Sequence, residues 1–286
     1  MCKGFVLRKD IIENFKGTLI QHGRYNNRLY LMKCPSSPDQ NLADDLIRLT
    51  QKKGYTKIFA KVPESVSRQF FLAGFIEEAR IPKFYFAGES AVFMSFYLDK
   101  NRSREPHVEK LNHNLAIALG KENKKTVLDL NTRYVIRKCS EHDVDAVANL
   151  YRQVFASYPF PIQDPDYLLN TMRSNAEYFC IEAEDEIAAV CAAEIDRKNL
   201  AAEMTDFATS PGWRSKKFAQ HLLAFMEREI KKKKIKTAYT IARAMSVAMN
   251  ITFCKSGYCL AGRLKNNTNI AGSIESMNVW YKSINE

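Results

Sequence analysis

The chain has 286 residues, 46% of them hydrophobic and 26% charged, with a formal charge of +11 at pH 7. This length suffices for two cores of ordinary domain size, and the composition excludes a disordered or fibrous chain. No apolar run approaches the roughly 20 residues that cross a bilayer, and Met1-Cys-Lys-Gly-Phe5 lacks the apolar stretch of a signal peptide, so a cytoplasmic protein without membrane partners is expected.

Strand and helix signals alternate from early in the chain. Residues 28–32 predict a strand, 41–53 a helix closed by Gly54, and 56–62 a further strand. Phe70-x-x-x-Gly74-Phe75, with Met94 beyond it, recurs in the second half as Phe253-x-x-x-Gly257-Tyr258 and Met277, in the same order of helix, Gly-aromatic pair, strand, loop and strand. Residues 101–130 are rich in charged and amide side chains and read as a helical or extended connector. The chain thus divides into a first domain with connector over 1–130 and a second domain over 131–286.

From residue 134 the pattern is that of a mixed α/β domain. A strand at 134–138 precedes a helix that starts at the capping-box-like Ser140-Glu-His-Asp143 and runs to about residue 155. A second helix spans 164–173, and strands at 178–182, 187–195 and 202–209 form a meander. In the next helix Phe218, Leu222, Leu223, Met226 and Ile230 recur at three- and four-residue spacing, which gives one apolar face to lay on a sheet. A strand at 237–241, a helix at 246–255 and strands at 258–264 and 276–282 complete the order.

Lys231 to Lys234 with Lys236 form the densest basic run, but they fall in the last turn of a helix, where cations complement the dipole, and read as a solvated helix end. The net charge suits a polyanion, and both nucleic acid and the phosphates of a coenzyme qualify. An RNA-reading sheet carries exposed aromatics interleaved with basic residues, and no strand here does, which argues against nucleic acid. The seven cysteines are scattered, without a Cys-x-x-Cys pair or a His cluster. They predict no metal site and read as small buried residues, with Cys254 and Cys259 the two that could be reactive.

The most informative stretch is Asp206-Phe-Ala-Thr-Ser-Pro-Gly-Trp-Arg-Ser-Lys-Lys-Phe-Ala219. A strand that breaks at Pro211-Gly212 and restarts as a helix leaves N–H groups unpaired at the positive end of the helix dipole, a seat for a pyrophosphate. The order strand, Arg/Gln-x-x-Gly-x-Gly/Ala, helix resembles the GNAT superfamily of N-acetyltransferases. Arg214 and Ala219 match the first and last signature positions, and Lys217 stands at the glycine. Tyr158-Pro-Phe-Pro-Ile162 and Ser276-Met-Asn-Val-Trp-Tyr-Lys282 resemble the β-lysine N-acetyltransferase branch, and the likeness spans most of the chain.

The resemblance implies an α/β fold with a GNAT-type mixed central sheet flanked by helices, preceded by a degenerate GNAT-like half, and acetyl-CoA as acetyl donor. Backbone amides of Phe207, Ala208 and Thr209 would hold the acetyl carbonyl and the pantetheine arm. Arg214, Ser215, Lys216, Lys217, Phe218 and Ala219 would hold the pyrophosphate, with helical dihedrals at Lys217 making a glycine unnecessary. Ser246 and Asn250, one helical turn apart, would neighbour the arm. Glu203 sits where family members keep a glutamate that draws the amine proton through water. Asp206 follows at an odd separation, is expected on the opposite face of the strand, and is the second candidate base or a substrate contact. The family's general acid is a tyrosine at the position of Phe253, so Tyr258, Tyr281 or Tyr239 substitutes here or the thiolate leaves unassisted.

Tyr158-Pro-Phe-Pro-Ile-Gln-Asp164 is stiffened by its prolines, and Tyr158 and Phe160 could pack on an aliphatic chain or a cation; a rigid connector with aromatic anchors explains it equally well. A small diamino acid needs local acidity against the chain's positive field, and Asp164, Glu194, Glu203 and Asp206 are the candidates, with Arg243 for the substrate carboxylate. The implied reaction is acetyl transfer to the ε-amino group of β-lysine, giving Nε-acetyl-β-lysine, a compatible solute. Its rivals are another acceptor (lysine, a polyamine or a protein lysine) and, in a different class, a non-catalytic module that binds coenzyme A or nucleic acid. A homodimer is compatible with these readings.

Overall fold

β1 (Ile11–Phe15), β2 (Thr18–Gly23) and β3 (Arg28–Lys33) form an antiparallel meander; the computed structural model describes residues 9–35, 37–85, 88–122 and 130–284. In α1 (Leu42–Lys53), Asp44 and Asp45 occupy the first turn and Lys52 and Lys53 the last, matching the helix dipole. Gly54 closes it at φ 66°, a left-handed conformation that glycine adopts without steric cost. β4 (Lys57–Pro63), α2 (Glu64–Leu72), β5 (Ile76–Ile81) and β6 (Ala91–Tyr97) follow. The strand order is β1-β2-β3-β4-β6-β5, with β3 and β4 parallel. These elements belong to one compact unit, Met1–Pro106 with Gly262–Met277, cored by Ile20, Leu29, Ile58, Phe70, Val92 and Met94.

Buried cations hold the later segment into this unit. Lys57, with no exposed surface, places Nζ 3.0 Å from Glu78 Oε2 and donates to the Lys265 carbonyl at 2.7 Å. Ser95, Tyr97 and the Lys265 N–H donate to the same carboxylate. Arg28 donates to the Asn267 carbonyl at 2.6 Å and Arg102 to that of Asn266 at 2.7 Å. Burial pushes the Lys57 ammonium down to about 8, against the attraction of Glu78. Removing one partner of such a pair strands the other charge, so Lys57→Met is expected to lower stability by about 3–5 kcal/mol in urea unfolding of the full chain. The unfolded lysine keeps its proton up to about 10.5 and the folded one only to about 8, so stability rises with pH across that window, and the substitution removes that part of the slope. A loss under about 1 kcal/mol would make the pair dispensable.

The second unit, His107–Ala261 with Asn278–Glu286, begins with α3 (Val108–Leu119). The stretch read as a connector thus supplies a helix of this unit, while residues 123–129 lie outside the described residues. After β7 (Val135–Lys138), a short turn carries the capping box of Ser140 and Asp143 into α4 (Val144–Val154) and then α5 (Pro165–Ser174). β8 (Ala176–Ala183), β9 (Glu186–Asp196) and β10 (Ala201–Thr209) make the expected meander. α6 (Phe218–Lys232), β11 (Thr237–Arg243), α7 (Val247–Lys255), β12 (Cys259–Ile270) and β13 (Ser273–Ser283) complete the chain. α3 packs on α7, where Asn114 Nδ2 donates to the Met245 carbonyl at 3.3 Å.

In this unit β13, β11, β10, β9, β8 and β7 lie in that order, with β10 and β11 parallel. Small side chains on one face, among them Ala189, Cys191, Ala193 and Ala202, let the predicted apolar face of α6 pack closely on the sheet. The opposite face, with Tyr178, Cys180, Val190, Ala192 and Ala208, receives Val147, Leu150, Tyr151 and Leu168 from α4 and α5. Among the described residues no helix is long and apolar enough to cross a membrane.

The sequence echo has a geometric counterpart. The Phe75 N–H donates to the Phe70 carbonyl at 3.0 Å and the Tyr258 N–H to that of Phe253 at 3.1 Å. Gly74 and Gly257 both sit at positive φ, 91° and 82°. The ring pairs Phe70–Phe75 and Phe253–Tyr258 meet edge to face at 5.0 and 5.2 Å. The repeated spacing therefore encodes one device, a left-handed glycine that ends a helix so that the next aromatic folds back on it.

Candidate active site

The site forms where β10 leaves its ladders. Pairing with β9 runs in register from Ala201 to Thr205 and resumes with Ala208 opposite Val190, so Asp206 and Phe207 face a single residue as a β-bulge. Asp206 takes φ 57° to make it. The bulge cancels the parity expected from sequence, because an extra residue turns the strand over once. Glu203 stands opposite Glu194 in register, and Asp206 lies on that same face rather than the opposite one. Pairing with β11 covers only Ala201–Glu203 against Thr237–Tyr239, so beyond Glu203 the backbone groups of β10 that point away from β9 are open on that side.

Past the strand, a turn at Pro211–Trp213 leads to Ser215 at φ 67° and Lys217 at φ 60°, the N-cap position of α6, which no side chain caps. The expectation of right-handed helical dihedrals at Lys217 is not met. The residue at the signature glycine is left-handed, at a cost of about 1–2 kcal/mol that glycine would avoid. The first N–H groups of α6, at Phe218 and Ala219, have no partner within the helix, and Arg214, Lys216 and Lys217 add positive charge beside them.

On the α4–α5 face the Tyr158 hydroxyl donates to Asp206 Oδ1, and Thr205 Oγ1 donates to the same oxygen at 3.1 Å. Asp206 is only 7% exposed, and burial raises its carboxyl above the usual carboxylate range against these two hydrogen bonds. Burial, reinforced by the Asp206 charge, pushes the hydroxyls of Tyr151, Tyr158 and Tyr178 well up; Glu194 acts on Tyr158 and Tyr178 in the same sense. The face is thus acidic and aromatic inside a basic chain. Tyr151, Tyr167, Tyr178 and Thr205 were not singled out from the sequence; strand parity aligns Tyr178 with Cys180 on this face, but helix α4 gives no hint that Tyr151 ends at a carboxylate.

The other predicted site residues hold the following places. Phe160 packs against the α4–α5 core, and Asp164 caps α5 by accepting from the Asp166 N–H at 3.1 Å. Ser246 is the N-cap of α7. Asn250 is fully buried, donates to the carbonyls of Arg243 and Ser246, and accepts from Asn278 and from Trp280 Nε1 at 2.8 and 2.9 Å, so its amide ties β11, α7 and β13 together. Arg243 ends β11. Tyr258 lies in the core under α6, beside Glu227, whose Oε2 takes Lys282 Nζ at 2.6 Å. It is not brought to the face that holds Glu203 and Asp206. Burial pushes the Cys254 thiol up, which works against a reactive thiolate, and Cys259 is exposed.

A mixed sheet with a bulged strand running into an uncapped helix start defines an acetyltransferase of the GNAT type. Residues 144–258 match the Acetyltransferase (GNAT) family, and the chain belongs to it. It is an acyltransferase with acetyl-CoA as acetyl donor. The chain is 35% identical over 270 residues to the β-lysine N(6)-acetyltransferase of Methanococcus maripaludis, covering 93% of this chain and 96% of that one. It is 32% identical over 255 residues to the β-lysine N(6)-acetyltransferase of Methanosarcina mazei, covering 82% and 93%. With the N-acetyltransferase YodP of Bacillus subtilis the identity is 28% over 272 residues, covering 93% and 96%.

Proposed function

We propose that this enzyme acetylates the ε-amino group of β-lysine in the cytoplasm, giving Nε-acetyl-β-lysine as a compatible solute. The observation that carries the reading is near full-length similarity, at 35% and 32% identity, to two relatives with that named activity. The acidic, aromatic face around Asp206 supports it, since an ammonium needs local negative charge in a chain of +11.

The uncapped start of α6 suits the coenzyme's pyrophosphate, which the amides of Phe218 and Ala219 would hold with Ser215 and the charges of Arg214, Lys216 and Lys217. The open edge at Phe207, Ala208 and Thr209 would take the pantetheine arm and the acetyl carbonyl. Acetyl-CoA supplies the acetyl group as a thioester. Glu203 acts as the general base: it takes one proton from the substrate ammonium, directly or through water, the free amine nitrogen bonds to the acetyl carbon, and the carbon–sulfur bond breaks to release coenzyme A as a thiolate, which takes up the second proton that the nitrogen sheds on becoming an amide. The repeated Gly-aromatic device and parallel β3–β4 pair support reading the first unit as a degenerate acetyltransferase-like half. Its β3 has a similar irregularity, with Met32 extra against β2 and pairing to β4 that ends at Leu31–Ala60, but Asp44 and Asp45 occupy the start of α1, so it lacks the basic helix start of the second unit.

Mass spectrometry of a reaction with acetyl-CoA and β-lysine is expected to show product acetylated at the ε-nitrogen. Protein that binds acetyl-CoA in calorimetry and yields no acetyl-β-lysine would overturn the substrate, and folded protein that binds no coenzyme would overturn the whole reading.

A further inference from the structure

We propose that Asp206, Tyr158 and Tyr151 form a seat for the ammonium group of the substrate that does not react, a site that selects diamines over monoamines. The inference rests on the reading of the chain as a small-amine acetyltransferase. Three observations converge on it. The Asp206 carboxylate is buried, and among the described residues it forms no ion pair; a buried charge left without a counter-charge is costly, which an incoming cation relieves. Both described hydrogen bonds to that carboxylate, from Tyr158 and Thr205, land on Oδ1, which leaves Oδ2 to accept from a ligand. The Tyr151 hydroxyl is fully buried with no hydrogen-bond partner among the described residues, within electrostatic reach of Asp206, Tyr158 and Tyr178.

An orphaned buried hydroxyl in a folded protein asks for a partner. An ammonium has three donors, and a seat made of Oδ2, the Tyr151 oxygen and neighbouring ring faces uses them with charge compensation and cation–π attraction. The bulge makes this possible. Without it Asp206 would point toward α6, and the tyrosines of α4 and β8 would lose that carboxylate. Since Glu203 and Glu194 stand on the same face, the reacting amine and the seated ammonium of one short substrate can be handled on one side of the sheet.

The test is calorimetry of the full chain with coenzyme A present, titrated with β-lysine, pentane-1,5-diamine and pentylamine. Wild type is expected to bind the two compounds with two ammonium groups at least about 10-fold more tightly than pentylamine, in line with charged hydrogen bonds being the stronger class. Asp206→Asn is expected to abolish that preference while leaving pentylamine and coenzyme binding within about threefold, and Tyr151→Phe, which removes one unpaired hydroxyl and little else, to shrink it about threefold or more. Equal binding of diamine and monoamine by wild type, a preference that survives Asp206→Asn, or a preference unchanged in Tyr151→Phe would each overturn the seat. A diamine preference without acetylation of β-lysine would sink the proposed substrate and leave the seat standing.

Discussion

Glu203→Gln is expected to lower kcat for the amine substrate by about 10²–10⁴-fold while leaving acetyl-CoA affinity unchanged. Glu203 stands opposite Glu194 at the last register position of the β10–β11 ladder, just before the strand opens, and lies on β10 rather than on the helix start proposed to hold phosphates. Glutamine keeps its size and its accepting oxygen but cannot take a proton. The substrate amine titrates near 10.4 in water, so at neutral pH nearly all of it is protonated and the missing step is its deprotonation. The deficit of the variant should therefore narrow as pH rises toward that value, because solvent then supplies the free amine. A loss of activity equal at every pH would give Glu203 a binding or structural role, and wild-type turnover at neutral pH would move the base to Asp206.

Much of this architecture is readable in the sequence because its signals are local. The apolar stripe of α6 and the Gly-aromatic pairs at Gly74 and Gly257 each need only neighbouring residues to act, and each forms where it is expected. Strand β12 is legible only as far as Leu264. Its continuation, Lys265-Asn-Asn-Thr-Asn269, has no alternating apolar pattern, since its partners are the buried arginines Arg28 and Arg102, which the sequence places far away. The face on which Asp206 lies differs from the one that strand parity predicts for a related reason. Parity assumes an unbroken ladder, and one extra residue between Thr205 and Ala208 reverses it; no residue type at that position announces a bulge, and Asp206 is non-glycine at positive φ. Asn250 shows the converse. Its helical spacing from Ser246 is as expected, but tertiary neighbours that no spacing reveals, Asn278 and Trp280, take up its side-chain oxygen.

β-Lysine is expected to exceed a plain alkylamine of similar length by about 10⁴-fold in kcat/KM, because a site built to pair polar groups at both ends of a substrate leaves its own buried groups uncompensated when one end is missing. The cost falls on the protein as much as on the ligand: with a monoamine bound, the buried Asp206 carboxylate keeps no counter-charge and the Tyr151 hydroxyl gains no partner. Lysine carries the same charges and differs in where its second amino group sits, so the discrimination against it rests on geometry alone and should be smaller, on the order of 10–10²-fold, as for other small positional mismatches. Pentane-1,5-diamine, which keeps both ammonium groups and lacks the carboxylate, should fall between β-lysine and the alkylamine. Steady-state kinetics with the four amines at saturating acetyl-CoA gives the ranking directly. Comparable kcat/KM for β-lysine and the alkylamine would mean that neither end group is read, and would turn the assignment toward an acetyltransferase of broad amine specificity.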